Sequence, residues 1–278
     1  MAKIMNGKKI AEEMKARLKK KLEPLEEKPS LSVILVGNNK ASEIYVKMKE
    51  RACNEVGIKF NLYRFPKNVQ EDEVIDFIDR LNKKPDVNGI IVQLPLPEHI
   101  DEKRIFETIS PLKDVDCFHP SNRWKLLIGL EDIAPCTPAA VLEILKKYGI
   151  EVGGKNIVVI GRSYLVGQPL AIMLLNRNAT VTICHSKTRN LAEHTKKADI
   201  IISAVGKPDL IKGDMISKNA VIIDVGTSRV NNKITGDVDF KSVEKKASYI
   251  TKVPGGVGPV TIANVLWNVV KCYEKQTG

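Results

Sequence analysis

The stretch from Lys155 to Pro169 limits the possible folds more than any other part of the chain. Ile157 to Ile160 is a short apolar, β-branched run, the pattern of a parallel strand covered on both faces. It stops at Gly161, and Pro169 falls in the first turn of an apolar helix, Leu170 to Leu175. A strand, a glycine turn and a helix N-terminus bring free backbone N–H groups and a positive dipole end to one point. That point suits a pyrophosphate. The spacing Gly161-x-Ser163-x-x-x-Gly167 lacks the usual second glycine, so taken alone it fits a packing turn equally well.

The next strand, Ala179 to Cys184, sharpens the reading because it ends in His185-Ser-Lys-Thr-Arg189. NAD-binding folds place an Asp or Glu about 20 residues after the glycines, on the ribose hydroxyls. Here hydroxyls and cations stand at that position, and Arg162 lies in the first loop. Such a set welcomes a 2′-phosphate, so NADP is expected rather than NAD. Lys187 and Arg189 taken singly also read as solvated loop charges.

At 278 residues the chain has room for two domains of ordinary size. A hydrophobic content of 43% beside 28% charged residues describes a soluble globular protein with a sizeable core. No apolar run approaches a membrane span, and Met1 to Met5 carries no signal-peptide core, so no membrane is expected. The five cysteines are scattered and odd in number, without a Cys-x-x-Cys, which argues against a disulfide framework and against zinc. A reducing cytoplasm fits best. The net charge is +11, and in Lys8 to Lys28 eight basic and five acidic residues mix at helical spacing, the mark of a solvated helix face. Aromatics are only 5% and never alternate with basic residues, so no nucleic-acid partner is expected. A basic balance also steers small anions.

Strands and helices alternate. Leu31–Val36, Lys59–Phe65 and Asn88–Leu94 read as strands, with helices over Lys40–Val56 and Glu71–Asn82 between them, a βαβαβ unit with right-handed crossovers. Residues 95–138 read as loop-rich, and Ala139–Tyr148 as a helix. Strands follow at Ile157–Ile160, Thr180–Cys184, Ile200–Ala204, Val221–Val225 and Ser248–Thr251, at the spacing of a doubly wound sheet. An amphipathic helix over Thr261–Glu274, capped by Thr261, closes the chain. The expected fold class is α/β, two domains each with a mainly parallel sheet and a cleft between them, the second domain Rossmann-like.

Ser42, Tyr45 and Lys49 share one face of the first of these helices. A core-facing Tyr beside a surface Lys is the bland reading of that spacing. Gln93 adds weight, because it closes an apolar strand at the carboxyl end, where open α/β sheets present ligands. Asp114 and Asp116 lie just beyond. A Tyr could stack on a flat ring, a Lys could take or hold a proton, and an Asp could grip an amidine-like heterocycle. His99 and His194 read as solvated helix residues, His119 precedes a proline in a loop, and His185 belongs to the cofactor strand end. No two histidines have ligand spacing, so no metal is expected. The glycines of Val253-Pro-Gly-Gly-Val-Gly-Pro-Val-Thr261 let backbone approach a bound ring closely, and also suit an interdomain hinge.

These motifs together closely resemble the bifunctional methylenetetrahydrofolate dehydrogenase/methenyltetrahydrofolate cyclohydrolase family over essentially the whole chain. They are Ser42-x-x-Tyr-Val-x-x-Lys49, Gln93-Leu-Pro-Leu-Pro97, Lys113-Asp-Val-Asp116 with Phe118-His-Pro120, and Pro135-Cys-Thr-Pro138, followed by Gly161-Arg-Ser-x-x-Val-Gly-x-Pro169, His185-Ser186 and Pro254-Gly-Gly-Val-Gly-Pro259. The resemblance implies NADP-dependent oxidation of 5,10-methylenetetrahydrofolate to the methenyl cation, then hydrolysis to 10-formyltetrahydrofolate. By position, it makes Lys49 the residue of the hydrolytic step, with Gln93 hydrogen-bonded to it and tuning its charge. Tyr45 would stack on the folate and Asp116 would hold the pterin, with Pro254, Gly255 and Gly256 also at the substrate. Gly161, Arg162, Ser163, Val166, Gly167, His185, Ser186 and Thr227 would line the cofactor, Arg162 and Ser186 near its 2′-phosphate. The implied domains are 1–138 plus 261–278, catalytic, and 139–260, NADP-binding, in a homodimer.

The chain departs from the family pattern at four places. Cys117 stands for a glycine and Ala139-Ala140 for x-Gly. Val225-Gly-Thr-Ser-Arg229 replaces Val-Gly-Ile-Asn-Arg, and Lys252 replaces a proline. None removes a residue assigned to catalysis. Two further readings stay open at this level: a dehydrogenase without cyclohydrolase activity, and a non-catalytic nucleotide- or RNA-binding protein.

Overall fold

The computed structural model describes residues 1–230 and 233–278. In chain order the elements are β1 (Lys3–Met5), α1 (Gly7–Leu22), β2 (Ser30–Val36), α2 (Lys40–Val56), β3 (Lys59–Phe65), α3 (Glu71–Lys83), β4 (Gly89–Gln93), α4 (Glu102–Thr108), α5 (Pro120–Leu127) and α6 (Cys136–Lys147). Then come β5 (Asn156–Ile160), α7 (Gly167–Leu175), β6 (Thr180–Cys184), α8 (Leu191–Thr195), β7 (Ile200–Ser203), β8 (Val221–Asp224), β9 (Ser228–Val230), β10 (Lys233–Thr235), α9 (Phe240–Val243), β11 (Tyr249–Thr251) and α10 (Val257–Thr277). The fold is α/β, as the alternating pattern implies. The chain divides into two compact units, one of Glu12–Cys136 with Ile262–Gly278, the other of Met1–Ala11 with Thr137–Thr261.

The first of these is built on a parallel sheet in the order β3-β2-β4. All seven residues of the central strand β2 are buried. Leu31, Val33 and Leu35 face a core that includes Leu18 and Leu22 of α1 and Ile262, Leu266 and Val269 of α10. Ile34 and Val36 face the other way, onto Val74, Ile78 and Leu81 of α3 and Ile105 and Phe106 of α4. Each such side chain taken out of water contributes about 1.5–3 kcal/mol. Since β2 comes first in sequence and lies between β3 and β4, the chain direction switches between β2 and β4. Ligand crevices open at such points.

The second unit carries a six-strand parallel sheet in the order β1-β11-β8-β7-β5-β6. Its switch point lies between β5 and β7. Ile157–Ile160 reads as a covered strand in the sequence and is buried in the structure, as are all residues of β7 and β8.

Four sequence expectations differ from what is found. Residues 1–11 belong with the six-strand sheet rather than with residues 12–138, because β1 pairs with β11 in register Ile4↔Ile250. The loop-rich stretch 95–138 contains α4 and α5, both capped by side chains: Asp101 accepts from the Lys103 N–H and His119 from the Ser121 N–H. His99 stands in a turn outside any helix, its Nε2 against the Val69 carbonyl oxygen at 2.9 Å. The last helix starts at Val257, so Thr261 lies a turn inside it, bonding the Val257 carbonyl at 3.2 Å instead of capping. Pro259 does not stop the helix, because first-turn N–H groups have no intrahelical partner to lose.

Candidate active site

Helix α2 starts because Asn39 accepts from the Ala41 and Ser42 N–H groups, and it ends at Gly57, whose φ of 87° is cheap only for glycine. Its inner face carries Ser42, Val46, Lys49 and Cys53. This helix follows β2 and lies beside the carboxyl end of β4. The Lys49 Nζ donates to the Gln93 Oε1 at 3.0 Å, and the Gln93 Nε2 donates to the Leu94 carbonyl at 2.8 Å. The Ser42 hydroxyl donates to the same carbonyl at 3.0 Å. Lys49 is buried, while Tyr45, one turn away, is 39% exposed.

Asp116 reaches this neighbourhood through a loop that Asp114 organises. Asp114 is buried and accepts from the N–H groups of Phe118 at 3.0 Å and His119 at 2.9 Å, and from the Asn122 Nδ2 at 2.9 Å. Burial pushes its carboxyl up, against the pull of those three donors. Asp116 itself is half-buried. Between Asp116 and Phe118, Cys117 takes a φ of 58°, the left-handed region, which explains why a glycine suits this position.

Cys136 ties these groups together. Its thiol is buried and pushed up, first by burial, then by the charge of Asp116 and a hydrogen bond with it, while the charge of Lys49 pulls it down. Asn268 of α10 fixes the backbone around it, donating at 2.8 Å to the carbonyls of both Val115 and Ala134. Lys49, bonded to Gln93, and Asp116 both act on Cys136, and Tyr45 stands one turn from Lys49 on α2. Sequence reading quotes Cys136 within the Pro135-Cys-Thr-Pro138 motif without giving it a role, and misses Asn268, since an Asn in an apolar helix carries no signal.

The six-strand unit holds the other predicted group. Gly161 has a φ of 116°, and a Cβ there would lie 2.5 Å from the Ala204 carbonyl oxygen. A Cβ on Gly167 would lie 2.1 Å from the Gly161 carbonyl oxygen. The two glycines therefore let three chain segments close up at the switch point. Ser163 accepts from the Val166 N–H at 3.2 Å, and α7 starts at the next residue. Arg162 is exposed after β5, and Ser186 is exposed after the neighbouring strand β6. There His185 folds the turn, its N–H donating to the Thr188 Oγ1 at 2.9 Å and its Nδ1 accepting from the Lys187 N–H at 3.1 Å. Thr227 is exposed after β8.

Gly255 has a φ of 104°, and its carbonyl accepts from the Lys8 N–H at 3.2 Å. Gly256 is packed tightly, since a Cβ there would lie 2.6 Å from the Lys252 carbonyl oxygen. Pro254 is exposed and joined to Val253 by a cis bond. All five cysteines are free and buried. Among the described residues no helix is long and apolar enough to cross a membrane, and no group of three or more His, Cys, Asp or Glu side chains could hold a metal ion.

Two family models match this chain: the tetrahydrofolate dehydrogenase/cyclohydrolase catalytic domain over residues 5–116, and the NAD(P)-binding domain of the same family over residues 135–277. The bifunctional protein FolD of a Nitratiruptor species is 53% identical over 277 residues, 98% of each chain. Among solved structures, the FolD methylenetetrahydrofolate dehydrogenase/cyclohydrolase of Campylobacter jejuni is 47% identical with a TM-score of 0.97 over 99% of each chain. The Trypanosoma brucei enzyme, solved with NADP cofactor and an inhibitor, is 37% identical with a TM-score of 0.97 over 99% of this chain and 98% of that one.

Proposed function

The chain belongs to the tetrahydrofolate dehydrogenase/cyclohydrolase family, and we propose how its own residues carry the two activities of that family. It is an NADP-dependent methylenetetrahydrofolate dehydrogenase and a methenyltetrahydrofolate cyclohydrolase. NADP when bound accepts a hydride from the methylene carbon of the folate. The glycine-made closure at Gly161 and Gly167 fits a dinucleotide, because it leaves no room for side chains where backbone must approach a pyrophosphate. Arg162, Ser163, Val166, His185, Ser186 and Thr227 line that site in our reading, with Arg162 and Ser186 on the 2′-phosphate.

Tyr45 stacks on the folate, and Asp116 accepts hydrogen bonds from its amidine-like edge. Pro254, Gly255 and Gly256 lie against the folate through backbone alone. Lys49 holds and moves a proton as water adds to the methenyl carbon and the ring opens. The observation that carries this role is the bond from its Nζ to the Gln93 amide oxygen. A neutral acceptor fixes the position of the amine without setting a full opposing charge beside it. The enzyme works as a homodimer in the cytoplasm, a compartment whose reducing poise suits five free thiols. Sedimentation of the purified protein checks the dimer.

The test supplies methylenetetrahydrofolate with NADP, and separately with NAD, and follows reduced cofactor and methenyl product by absorbance. NADP reduction without lasting methenyl, beyond its spontaneous hydrolysis, supports both activities. Persistent methenyl removes the role of Lys49, and no reduction with either cofactor removes the cofactor site.

A further inference from the structure

The six-strand unit buries two carboxylates that this mechanism does not use. Asp224, the last residue of β8, is 4% exposed, and Asp237, just after β10, is 0% exposed. A buried carboxylate is costly unless its oxygens are satisfied, and here they are. The Asp237 Oδ2 accepts from the Ser203 hydroxyl and the Val205 N–H, both at 2.8 Å, and its Oδ1 accepts from the Lys207 N–H at 2.8 Å. The Asp224 Oδ1 accepts from the N–H groups of Gly226 at 3.1 Å and Asp237 at 3.0 Å, and its Oδ2 from Val238 at 3.0 Å. Asp237 therefore grips the loop after β7, and Asp224 holds the backbone that presents Asp237.

Two glycines make room for the pair. A Cβ on Gly226 would lie 2.1 Å from the Asp237 carboxyl, and one on Gly236 would lie 1.9 Å from an Asp224 oxygen. The gripped loop is also the one at the switch point. Its first residue, Ala204, donates from its N–H to the Ile160 carbonyl at 2.8 Å and presents its own carbonyl against Gly161. Further along, the Gly206 carbonyl accepts from the Ser228 hydroxyl at 2.7 Å, joining the loop to the segment after Thr227. One carboxylate thus sets the loop that touches both the glycine turn and the Thr227 segment. An apolar side chain could fill the same space without the desolvation cost, but it could not fix the end of β7 and two N–H groups of the loop after it.

We propose that Asp237 is a positioning residue for the dinucleotide: its carboxylate holds Ala204–Lys207, and through Ala204 the Gly161 turn, in the shape that receives NADP. This deepens the cofactor assignment made above and rests on it. The role is separable from folate chemistry, because hydrolysis of methenyltetrahydrofolate consumes no NADP.

The experiment measures three quantities on the full-length enzyme and its Asp237→Asn and Ser203→Ala variants. They are NADPH affinity by fluorescence titration, kcat and KM(NADP) of the dehydrogenase, and cofactor-free hydrolysis of methenyltetrahydrofolate. The amide introduced by Asp237→Asn matches the carboxylate in shape but not in bonding, since its nitrogen opposes a donor of the loop. Asp237→Asn is expected to weaken NADPH binding and raise KM(NADP) about tenfold or more, with kcat and hydrolysis within about twofold, a tenfold change being about 1.4 kcal/mol. Ser203→Ala removes one of the three donors and should shift affinity the same way by a smaller factor. Unchanged affinity in the variants overturns the proposal, as does a loss of hydrolysis equal to the loss of affinity. Should Asp237→Asn not fold, Ser203→Ala decides alone. Failure of the wild-type enzyme to bind NADPH instead overturns the cofactor reading, and the proposal with it.

Discussion

Lys49 and Gln93 form a directed pair at the carboxyl end of β4. The Gln93 nitrogen is committed to the Leu94 carbonyl at 2.8 Å, so its oxygen must face Lys49, at 3.0 Å. An amide tethered this way gives the amine one fixed partner and one direction. Replacing Lys49 by Ala is expected to slow methenyltetrahydrofolate hydrolysis by about 10²–10⁴-fold, the usual worth of a positioned acid–base group, and to leave NADP affinity nearly intact. The decay of methenyl absorbance measures this directly. Wild-type hydrolysis in the variant would take Lys49 out of the mechanism.

Arg162→Ala tests the cofactor assignment. The guanidinium is exposed in the loop after β5, whose neighbour β6 leads to Ser186. A charge-assisted hydrogen bond to phosphate contributes about 1.5–3 kcal/mol, so NADP should weaken roughly tenfold or more, each 1.4 kcal/mol being a factor of ten. NAD, lacking the 2′-phosphate, should weaken far less. Titrations of both cofactors against the same variant decide it, and equal losses refute the contact.

The Gly161 turn supports a prediction with its own control. Gly161 and Gly57 both have positive φ, at 116° and 87°, but a Cβ at Gly161 would lie 2.5 Å from the Ala204 oxygen, while at Gly57 nothing lies within 4 Å. Gly57→Ala should therefore cost only the left-handed backbone penalty, about 1–2 kcal/mol, and leave both activities standing. Gly161→Ala must push the β5 and β7 loops apart, and should abolish NADP binding while sparing hydrolysis. Calorimetric unfolding and NADPH titration on the two variants separate strain from steric clash. Equal behaviour of the two would mean that the close approach to Ala204 does not matter.

What could be read in the sequence was whatever a period or a breaker marks. The runs at Ile157–Ile160 and Ile90–Val92 stand out because a strand covered on both faces must be apolar at every position. The three residues of β1 show no period, and only pairing with β11, more than two hundred residues away in sequence, reveals where they belong. Asp224 falls inside the strand read over Val221–Val225 and Asp237 outside any strand or helix read from the sequence, and nothing announces that backbone N–H groups will surround either. His119 shows how composition misleads: before a proline it reads as loop, yet its side chain caps α5. The position of Cys117, by contrast, stands out in the sequence through the glycine expected there, and its positive φ supplies the reason.

Asp224 gives the chain a pH-dependent term in stability. Burial pushes its carboxyl up from 3.8 to about 6; backbone N–H groups, that of Asp237 first, pull it down, and the charge of Asp237 pushes it up again. The folded protein then holds this proton more tightly than the unfolded chain does. The stabilising contribution is complete below the unfolded value of 3.8 and is lost as pH rises through about 6. At 1.36 kcal/mol per pH unit the shift corresponds to about 3 kcal/mol. Asp224→Asn cannot titrate, so the thermal midpoint of the wild type relative to that variant should fall as pH is raised from about 4 to about 7. Parallel melting curves of the two proteins across that interval show the change, because every other titrating group is common to both. A constant difference, or one that grows with pH, would mean that the backbone donors outweigh burial and hold the carboxylate charged throughout.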